Sequence, residues 1–335
     1  MARGYVERYG VQAALIGVAV IWGGTFVMVS DAIALYPMYG FLAWRFGVAT
    51  VAFVLLFPNV MKRIDRTNLR TGLIAGAFLT AGYIFQTWGL DGATRTTPAR
   101  AAFITGLYVV ITPLLQAVIL RRRPRKATLL GAGIAMAGLW LLSGITGSGM
   151  GGWVLGDTLI VVCAIAYSVH MIVLGSTGEK HDVMVLTLIQ LATVTVVCAG
   201  ISAAKEQPGL PTDPRVIFAI LICGVLASTA AFIIQTWAQS KLPPARVALI
   251  LVTEPAFGGV IGWTVAGMWP IREVLGAAMM LGGMIVSEVV AALAPSSDHV
   301  TFEPAVEGMP AAVIDSAHDD VCLTAEMSET HEAHL

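Results

Sequence analysis

Two charged residues stand inside long apolar runs of this sequence. Arg45 lies in the run 36–57, and Glu254 lies in the run 246–268. A charge at the centre of a bilayer is costly, so it faces a partner or a wet cavity. Arg45 could bind the carboxylate of a solute, and Glu254 could carry a proton. Alternatively, the two could form a structural salt bridge, or Arg45 could bond helix-end carbonyls.

Two glutamines occupy matching places in a repeated phrase. Gln86 and Gln235 each begin Gln-Thr-Trp, and Tyr83 shares a helical face with Gln86, because residues three apart are neighbours on a helix. Such faces suit an amphipathic organic solute, and they equally suit hydrogen bonds between helices. Trp22 and Tyr108 are further candidates for a cavity wall, although a packed or lipid-facing tryptophan is as ordinary. The candidate substrate-binding and translocation residues are Trp22, Arg45, Tyr83, Gln86, Tyr108, Gln235 and Glu254.

Signatures of catalysis and of bound metal are weak. Asp157 and His170 share one apolar run, but thirteen residues separate them, about 20 Å along a helix, so a proton relay between them is poorly supported. HEAH at 331–334 is one residue short of the zinc-binding HExxH helix. The four cysteines show no CxxC spacing, and no phosphate-binding GxxxxGK[ST] loop is present. We therefore expect no catalytic residues, no cofactor and no metal site.

Composition places the chain in a bilayer. Of 335 residues, 57% are hydrophobic and 12% are charged, against roughly 25% charged residues in soluble proteins. Lipid offers no partners for backbone polar groups, so apolar segments of about 20 residues cross it as helices. The sequence predicts an all-α polytopic membrane protein with ten transmembrane helices, at about 11–30, 36–57, 71–90, 98–120, 127–144, 155–174, 183–204, 214–238, 246–268 and 272–293.

The positive charges predict the orientation of these spans. With the N-terminus inside, the inside loops hold 14 of the 20 Lys and Arg residues and the outside loops hold five. Inside loops of membrane proteins carry such an excess, so both termini are expected in the cytoplasm, the N-terminal one as the segment 1–10. Residues 294–335 contain nine Asp and Glu and no Lys or Arg, which predicts a disordered acidic cytoplasmic tail.

Two prolines fall inside predicted spans. Pro113 lies in the fourth span, and Pro255 follows Glu254 in the ninth. Proline frees the carbonyl four residues before it, so we expect both spans to open locally at these points. Broken helices of this kind commonly surround the binding sites of carriers.

The sequence also repeats itself. Gln-Thr-Trp recurs after 149 residues, and Gly131 and Gly138 recur after 145 residues as Gly276 and Gly283. The two glycines of each pair lie seven residues apart on one helical face, which predicts close packing, either within the chain or between subunits. The shared letters fall in the same order of spans and indicate two five-helix halves, 11–144 and 155–293. Because five is odd, the second half enters the bilayer inverted.

Short motifs in both halves carry a resemblance to a known family. They are 21–26 (IWGGTF), 44–46 (WRF), 86–90 (QTWGL), 101–108 (AAFITGLY) with Pro113, 235–237 (QTW), 244–245 (PA) and 253–255 (TEP). These motifs resemble the drug/metabolite transporter superfamily, specifically its EamA-type ten-span permeases, over roughly 11–293. The resemblance implies a carrier in the cell (cytoplasmic) membrane, with a central cavity lined mainly by spans 1, 3, 4, 6, 8 and 9. The acidic tail lies outside the family pattern.

The function expected from these features is secondary active transport. We expect an exporter of small organic metabolites or drug-like solutes that works by alternating access, with protons as coupling ion and no nucleic-acid partner. The oligomeric state is left open. Two alternatives remain: a membrane-embedded transferase-type enzyme, and a structural or sensory membrane protein acting through its acidic tail. Acidic residues are sparse within the spans, and an inverted repeat has no evident use in an enzyme, so we expect no enzymatic activity.

Overall fold

The structure is a computed structural model, and it describes residues 2–90, 98–120, 124–143, 154–177, 181–206 and 209–293. Every regular element in these ranges is helical, which confirms the predicted all-α class. A 3₁₀ turn (Val60–Arg63) and a π-helical segment (Val225–Ala230) accompany the α-helices. The α-helices are α1 (Ala2–Leu35), α2 (Met38–Leu56), α3 (Arg66–Leu90), α4 (Pro98–Gly106), α5 (Tyr108–Ile119), α6 (Lys126–Ser143), α7 (Leu155–Thr177), α8 (Val183–Lys205), α9 (Pro214–Gly224), α10 (Ala231–Lys241), α11 (Pro244–Leu251), α12 (Glu254–Ala266) and α13 (Ile271–Leu293).

Eight helical stretches in the described ranges are long and apolar enough to cross a membrane. They are Met38–Leu56, Arg66–Leu90, Ala101–Ile119, Lys126–Ser143, Leu155–Ser176, Val183–Lys205, Pro214–Lys241 and Pro244–Thr264. The apolar part of α1 is shorter, Gly10–Thr25. The multi-pass character of the chain is thus confirmed, while the count of ten spans stays a prediction. The predicted acidic tail, 294–335, lies outside the described residues.

Acidic side chains satisfy free backbone N–H groups at several helix starts. Asp182 accepts hydrogen bonds from two backbone N–H groups in the first turn of α8, and Asp213 does the same for one N–H group of α9. Glu206, beyond the end of α8, accepts from the backbone N–H groups of Tyr39 at 3.0 Å and Gly40 at 2.8 Å. Because these N–H groups have no partner within their own helix, the caps fix where the helices start.

The helix break predicted at Pro255 is present. α11 ends at Leu251 and α12 begins at Glu254, so the chain leaves the helix between them. Pro255 stands in the first turn of α12, where its missing N–H group removes no helical hydrogen bond. The break therefore places Glu254 at a helix start in the middle of a predicted span.

The corresponding prediction for Pro113 is wrong. Pro113 lies inside α5, which continues through it although the proline removes one backbone hydrogen bond. The break lies earlier, at Leu107, whose N–H group donates to the carbonyl of Ile104 at 3.1 Å. This bond spans three residues, as in a 3₁₀ turn, and it separates α4 from α5.

The two breaks occupy the same place in their segments. α4 begins at Pro98 and α11 at Pro244, which is 146 residues later. α5 begins at Tyr108 and α12 at Glu254, again 146 residues later. Both broken segments thus begin with a proline, and in both the second helix starts ten positions after that proline.

Glycines allow two long helices to meet through their backbones. α6 and α13 form the most extensive packed pair of the fold. A Cβ atom added to Gly138 would lie 2.6 Å from the carbonyl oxygen of Gly276, and one added to Gly131 would lie 2.6 Å from that of Gly283. The predicted glycine surfaces therefore pack against each other within one chain.

The other helices surround a central space. α2 packs on α8, α3 packs on α7 and α8, and α1 packs on α9, α10 and α12. α7 also contacts α4 and α5. Each broken segment consequently has an unbroken helix beside it, and the breaks face the interior between α1, α3 and α7.

Candidate functional site

A cavity of about 110 Å³ lies at the centre of this arrangement. All seven candidate residues line it: Trp22 of α1, Arg45 of α2, Tyr83 and Gln86 of α3, Tyr108 of α5, Gln235 of α10 and Glu254 of α12. The structure thus brings together residues that are up to 232 positions apart in sequence. Their role in binding a solute stays a prediction.

α2 contributes to the cavity although the resemblance did not name the second span among the lining spans. Leu42 and Arg45 both lie in the wall. α2 comes this close because Gly224, at the end of α9, lacks a side chain: a Cβ atom there would lie 2.9 Å from the carbonyl oxygen of Arg45. The cavity is therefore lined by spans 1, 2, 3, 4, 6, 8 and 9 of the predicted numbering.

Arg45 is held against the wall by hydroxyl groups and aromatic rings. Its side chain is 4% exposed. Nε donates to Ser228 Oγ at 3.0 Å, and one terminal nitrogen donates to the Tyr83 hydroxyl at 3.3 Å. The guanidinium carbon lies 5.1 Å from the ring centre of Tyr83 and 5.3 Å from that of Phe46, distances at which a cation is attracted to an aromatic face. Among the described residues, the alternative of a salt bridge between Arg45 and Glu254 is not realised.

Glu254 begins α12, where the positive end of the helix dipole favours a carboxylate. In the described part of the chain its side chain has neither a hydrogen bond nor an ion pair, and it is partly open to the cavity. α1 crosses at this point, because a Cβ atom on Gly23 would lie 2.6 Å from the carbonyl oxygen of Glu254 and 2.7 Å from the nitrogen of Gly258. Tyr108 begins α5 as Glu254 begins α12, so both breaks direct a polar residue to the cavity.

The π-helical segment between α9 and α10 positions two cavity residues. The indole N–H of Trp22 donates to the carbonyl oxygen of Ala227 at 2.8 Å, and Ser228 receives the hydrogen bond from Arg45. A π turn shifts backbone carbonyls out of the usual α-helical register, and such turns are frequent at functional sites. The indole also lies 5.7 Å from the ring of Phe232, which fixes the edge of the wall.

The remaining wall is aromatic with two amides. The rings of Tyr83 and Tyr167 meet edge to face at 5.9 Å, and the Tyr167 hydroxyl donates to Gln86 Oε1 at 3.1 Å. Gln235 is 2% exposed, and its Oε1 atom has no hydrogen-bond partner in the described chain. A buried amide oxygen without a partner is costly, so Gln235 contributes an enclosed, unsatisfied acceptor to the wall.

His170 is one of several lining residues that the sequence patterns did not identify. They treated it only as a distant partner of Asp157, which is buried at the start of α7 and accepts from the Val154 N–H group. His170 instead lines the cavity, and its Nε2 atom lies 2.7 Å from Gln190 Oε1. The sequence did contain a signal for this position. His170 lies three residues after Tyr167, so both side chains share one face of α7.

The described residues contain no group of three or more His, Cys, Asp and Glu side chains arranged for a metal ion. The cavity instead combines rings, two amides, one carboxylate and one guanidinium that is bound to the wall. Such a mixture binds small organic molecules reversibly, with apolar contacts for the body and a few polar groups for orientation.

Comparison with known proteins finds relatives that are named transporters. Relatives include a protein described as an uncharacterized transporter from Archaeoglobus fulgidus, 29% identical over 75% of this chain and 77% of the relative. Another is the uncharacterized transporter YyaM from Bacillus subtilis, 21% identical over 85% of this chain and 95% of the relative. A WAT1-related protein from Arabidopsis thaliana is 24% identical over 64% of each chain.

A solved structure shares the fold. It is described only as a crystal structure of a protein, and it matches with a TM-score of 0.69 at 17% identity, over 84% of this chain and 99% of that one. The model of the EamA-like transporter family matches the chain twice, over residues 10–144 and 154–288. Together these two matches span most of the sequence, and the chain belongs to the EamA-like transporter family.

Proposed function

We propose that this protein is a secondary active transporter that exports small organic metabolites or drug-like solutes by alternating access. The observation that carries the proposal is the convergence of seven polar and aromatic residues, drawn from six helices, on one cavity beside two broken helices. Transporter-named relatives and family membership support membrane transport in general. The direction, the coupling ion and the class of solute are our own inference.

The mechanism we propose uses two inverted halves of five helices each, 11–144 and 155–293. Two matches of one family model support a repeat, and so do the equal 146-residue intervals between the starts of the broken helices. An odd number of spans per half requires the second half to cross in the opposite direction. Motion of one half against the other would then open the cavity alternately to each side.

The same proposal places the protein in the cell membrane with both termini in the cytoplasm. The excess of Lys and Arg in the proposed inside loops, 14 against five, supports this orientation.

Proton coupling would enter through Glu254. It is a carboxylate in the middle of a predicted span, open to the cavity and without a partner among the described residues. Such a group can exchange protons and solute in turn, because one occupant excludes the other. Arg45 is hydrogen-bonded to Ser228 and Tyr83 and forms no ion pair with Glu254 among the described residues.

A comparison of wild-type and variant cells tests the proposal. Cells that lack the protein, that overproduce it, and that overproduce Glu254→Gln would be compared by mass spectrometry of small molecules inside and outside. We expect a few solutes to move outward with the wild type and not with the variant. Chemical conversion of a lipid or metabolite with transport unchanged would instead favour the enzyme alternative.

Purified protein in vesicles separates coupling from binding. Glu254→Gln should lose pH-driven flux while it retains counterflow exchange of the solute. Glu273→Gln is the matched control, because Glu273 accepts from the Trp263 indole at 2.8 Å and lies outside the cavity wall. Retained pH-driven flux in Glu254→Gln would remove the proton role from this residue.

A further inference from the structure

His170 presents one specific nitrogen to the cavity. The ring belongs to α7, is 1% exposed, and lies 6.5 Å from the ring of Phe232 in an edge-to-face arrangement. It lines the cavity with Glu254 and Gln235. Whether this nitrogen donates or accepts a hydrogen bond depends on two contacts. The first is the bond between the other ring nitrogen and Gln190, and the second is the bond that Gln190 makes to Leu186.

A chain of hydrogen bonds fixes the tautomer of this histidine. Gln190 Nε2 donates to the backbone carbonyl of Leu186 at 3.1 Å, and a carbonyl can only accept. The other end of the amide, Oε1, therefore faces His170 Nε2 at 2.7 Å. Because an amide oxygen can only accept, Nε2 of His170 carries the hydrogen.

The second ring nitrogen is consequently an acceptor. A neutral imidazole has one N–H group and one lone pair, so with Nε2 protonated the lone pair lies on Nδ1. Nδ1 has no hydrogen-bond partner among the residues that the structure describes, and it is not among the fully enclosed unpaired atoms. The small part of His170 that is open to the cavity thus includes a hydrogen-bond acceptor.

Several donors of the wall are already engaged. The Trp22 N–H group is bound to Ala227, and the Tyr167 hydroxyl is bound to Gln86. Arg45 has two nitrogens bound to Ser228 and Tyr83. The guanidinium of Arg45 is held at the wall by these bonds, whereas the carboxylate of Glu254 has no partner among the described residues. Glu254 and Nδ1 of His170 both accept hydrogen bonds, which favours a solute that brings N–H groups and places its positive charge beside Glu254.

We propose that the cavity binds solutes carrying a primary or secondary ammonium group, and that His170 Nδ1 accepts one of its hydrogen bonds. Glu254 supplies the opposite charge, and the rings of Tyr83, Tyr108 and Phe232 contact the apolar body of the solute. This inference rests on the proposed transport function and names the class of solute for the same site.

Nuclear magnetic resonance of the purified protein tests the tautomer directly. With ¹⁵N-labelled histidine, the signal assigned to His170 by its loss in His170→Asn should show a protonated Nε2 and an unprotonated Nδ1 at neutral pH. Addition of 2-phenylethylamine should shift the Nδ1 signal. A protonated Nδ1 in the free protein, or an unchanged signal at saturating amine, would overturn the assignment.

Binding of a matched pair of probes tests the preference. The probes are 2-phenylethylamine and its N,N,N-trimethyl derivative, which keeps the charge and has no N–H group. We expect the wild type to prefer the amine by about tenfold, the usual effect of a hydrogen bond to a charged group. His170→Leu should lose this preference, and His170→Asn, which keeps a polar atom near the Nδ1 position, should retain part of it.

Two further variants complete the test. Gln190→Leu should weaken the preference, because the ring loses the bond that fixes its tautomer, whereas His181→Leu should keep it, because His181 bonds Thr71 and lies outside the cavity wall. Equal binding of both probes by the wild type, or tighter binding of phenylacetate than of the amine, contradicts the proposal. If the protein still exports solutes without an ammonium group, only the proposed solute class is wrong. If the protein exports no solute at all, the proposed transport function is wrong as well.

Discussion

At the scale of single residues, the two membrane charges have different surroundings. Arg45 is satisfied by Ser228 and Tyr83, so its burial does not depend on a bound solute. Glu254 has no such partner among the described residues and lies at a helix start that faces the cavity. Arg45 therefore forms part of the wall, while Glu254 is the charge to which we assign a role in transport.

Replacement of Arg45 should mainly reduce stability. In Arg45→Leu, the buried hydroxyls of Ser228 and Tyr83 lose a donor, and an unsatisfied buried polar group costs about 1–3 kcal/mol. We expect a lower thermal midpoint of the detergent-solubilised protein, measured by fluorescence-detected size exclusion. Arg215→Leu is the control, because Arg215 is exposed and pairs with its near neighbour Asp213, and it should change the midpoint less. Equal midpoints for the two variants would contradict this role of Arg45.

The sequence could identify these residues by type and depth but not by partner. Both membrane charges and both glutamines stand out against an apolar background. Their bonds join distant positions: Arg45 to Ser228, 183 residues on, and Trp22 to Ala227, 205 residues on. No local pattern encodes such pairs. The bond of His170 is of the same kind, since its partner Gln190 belongs to another helix.

At the scale of elements, backbone contact between α6 and α13 depends on absent side chains. Gly138 approaches the carbonyl oxygen of Gly276 and the nitrogen of Met280, so an added Cβ atom would lie 2.6 Å and 2.7 Å from them. These are backbone atoms, and they cannot move away by a side-chain rotation. The seven-residue spacing in the sequence predicted this surface, because spacing along one helix is a local property.

Valine at position 138 should push these helices apart. We expect Gly138→Val to lower the thermal midpoint by the equivalent of about 1–3 kcal/mol, typical of an overpacked contact. Gly133→Val is the control on the same helix, because a Cβ atom there meets nothing within 4 Å. The two midpoints, measured side by side in one detergent, should differ clearly. If Gly138→Val is as stable as Gly133→Val, the helices do not meet at this point.

Helix breaks were less predictable than helix packing. Pro255 marks a break and Pro113 does not, although both lie within apolar spans. A proline in the first helical turn removes no hydrogen bond, and one further along removes a single bond that the rest of the helix can outweigh. Whether a proline coincides with a break therefore depends on its distance from the start of its helix. The start of a helix depends in turn on contacts with other helices.

At the scale of the whole molecule, loops on opposite sides of the membrane should differ in accessibility. Met61, in the 3₁₀ turn after α2, is 57% exposed, and Leu210, before α9, is 74% exposed. The charge distribution predicts Met61 inside and Leu210 outside. In a cysteine-free background, a membrane-impermeant maleimide should label Leu210→Cys in intact cells and should label Met61→Cys only after the cells are broken open. The reverse pattern would invert the topology.

The equal placing of the two breaks has a consequence for the history of the gene. Ten residues separate Pro98 from Tyr108, and ten separate Pro244 from Glu254. If both halves descend from one duplicated coding sequence, both copies have kept the interval from the first proline of the segment to the start of the second helix. Tyr108 and Glu254 would then hold equivalent structural places with different side chains, so the two halves could no longer replace each other.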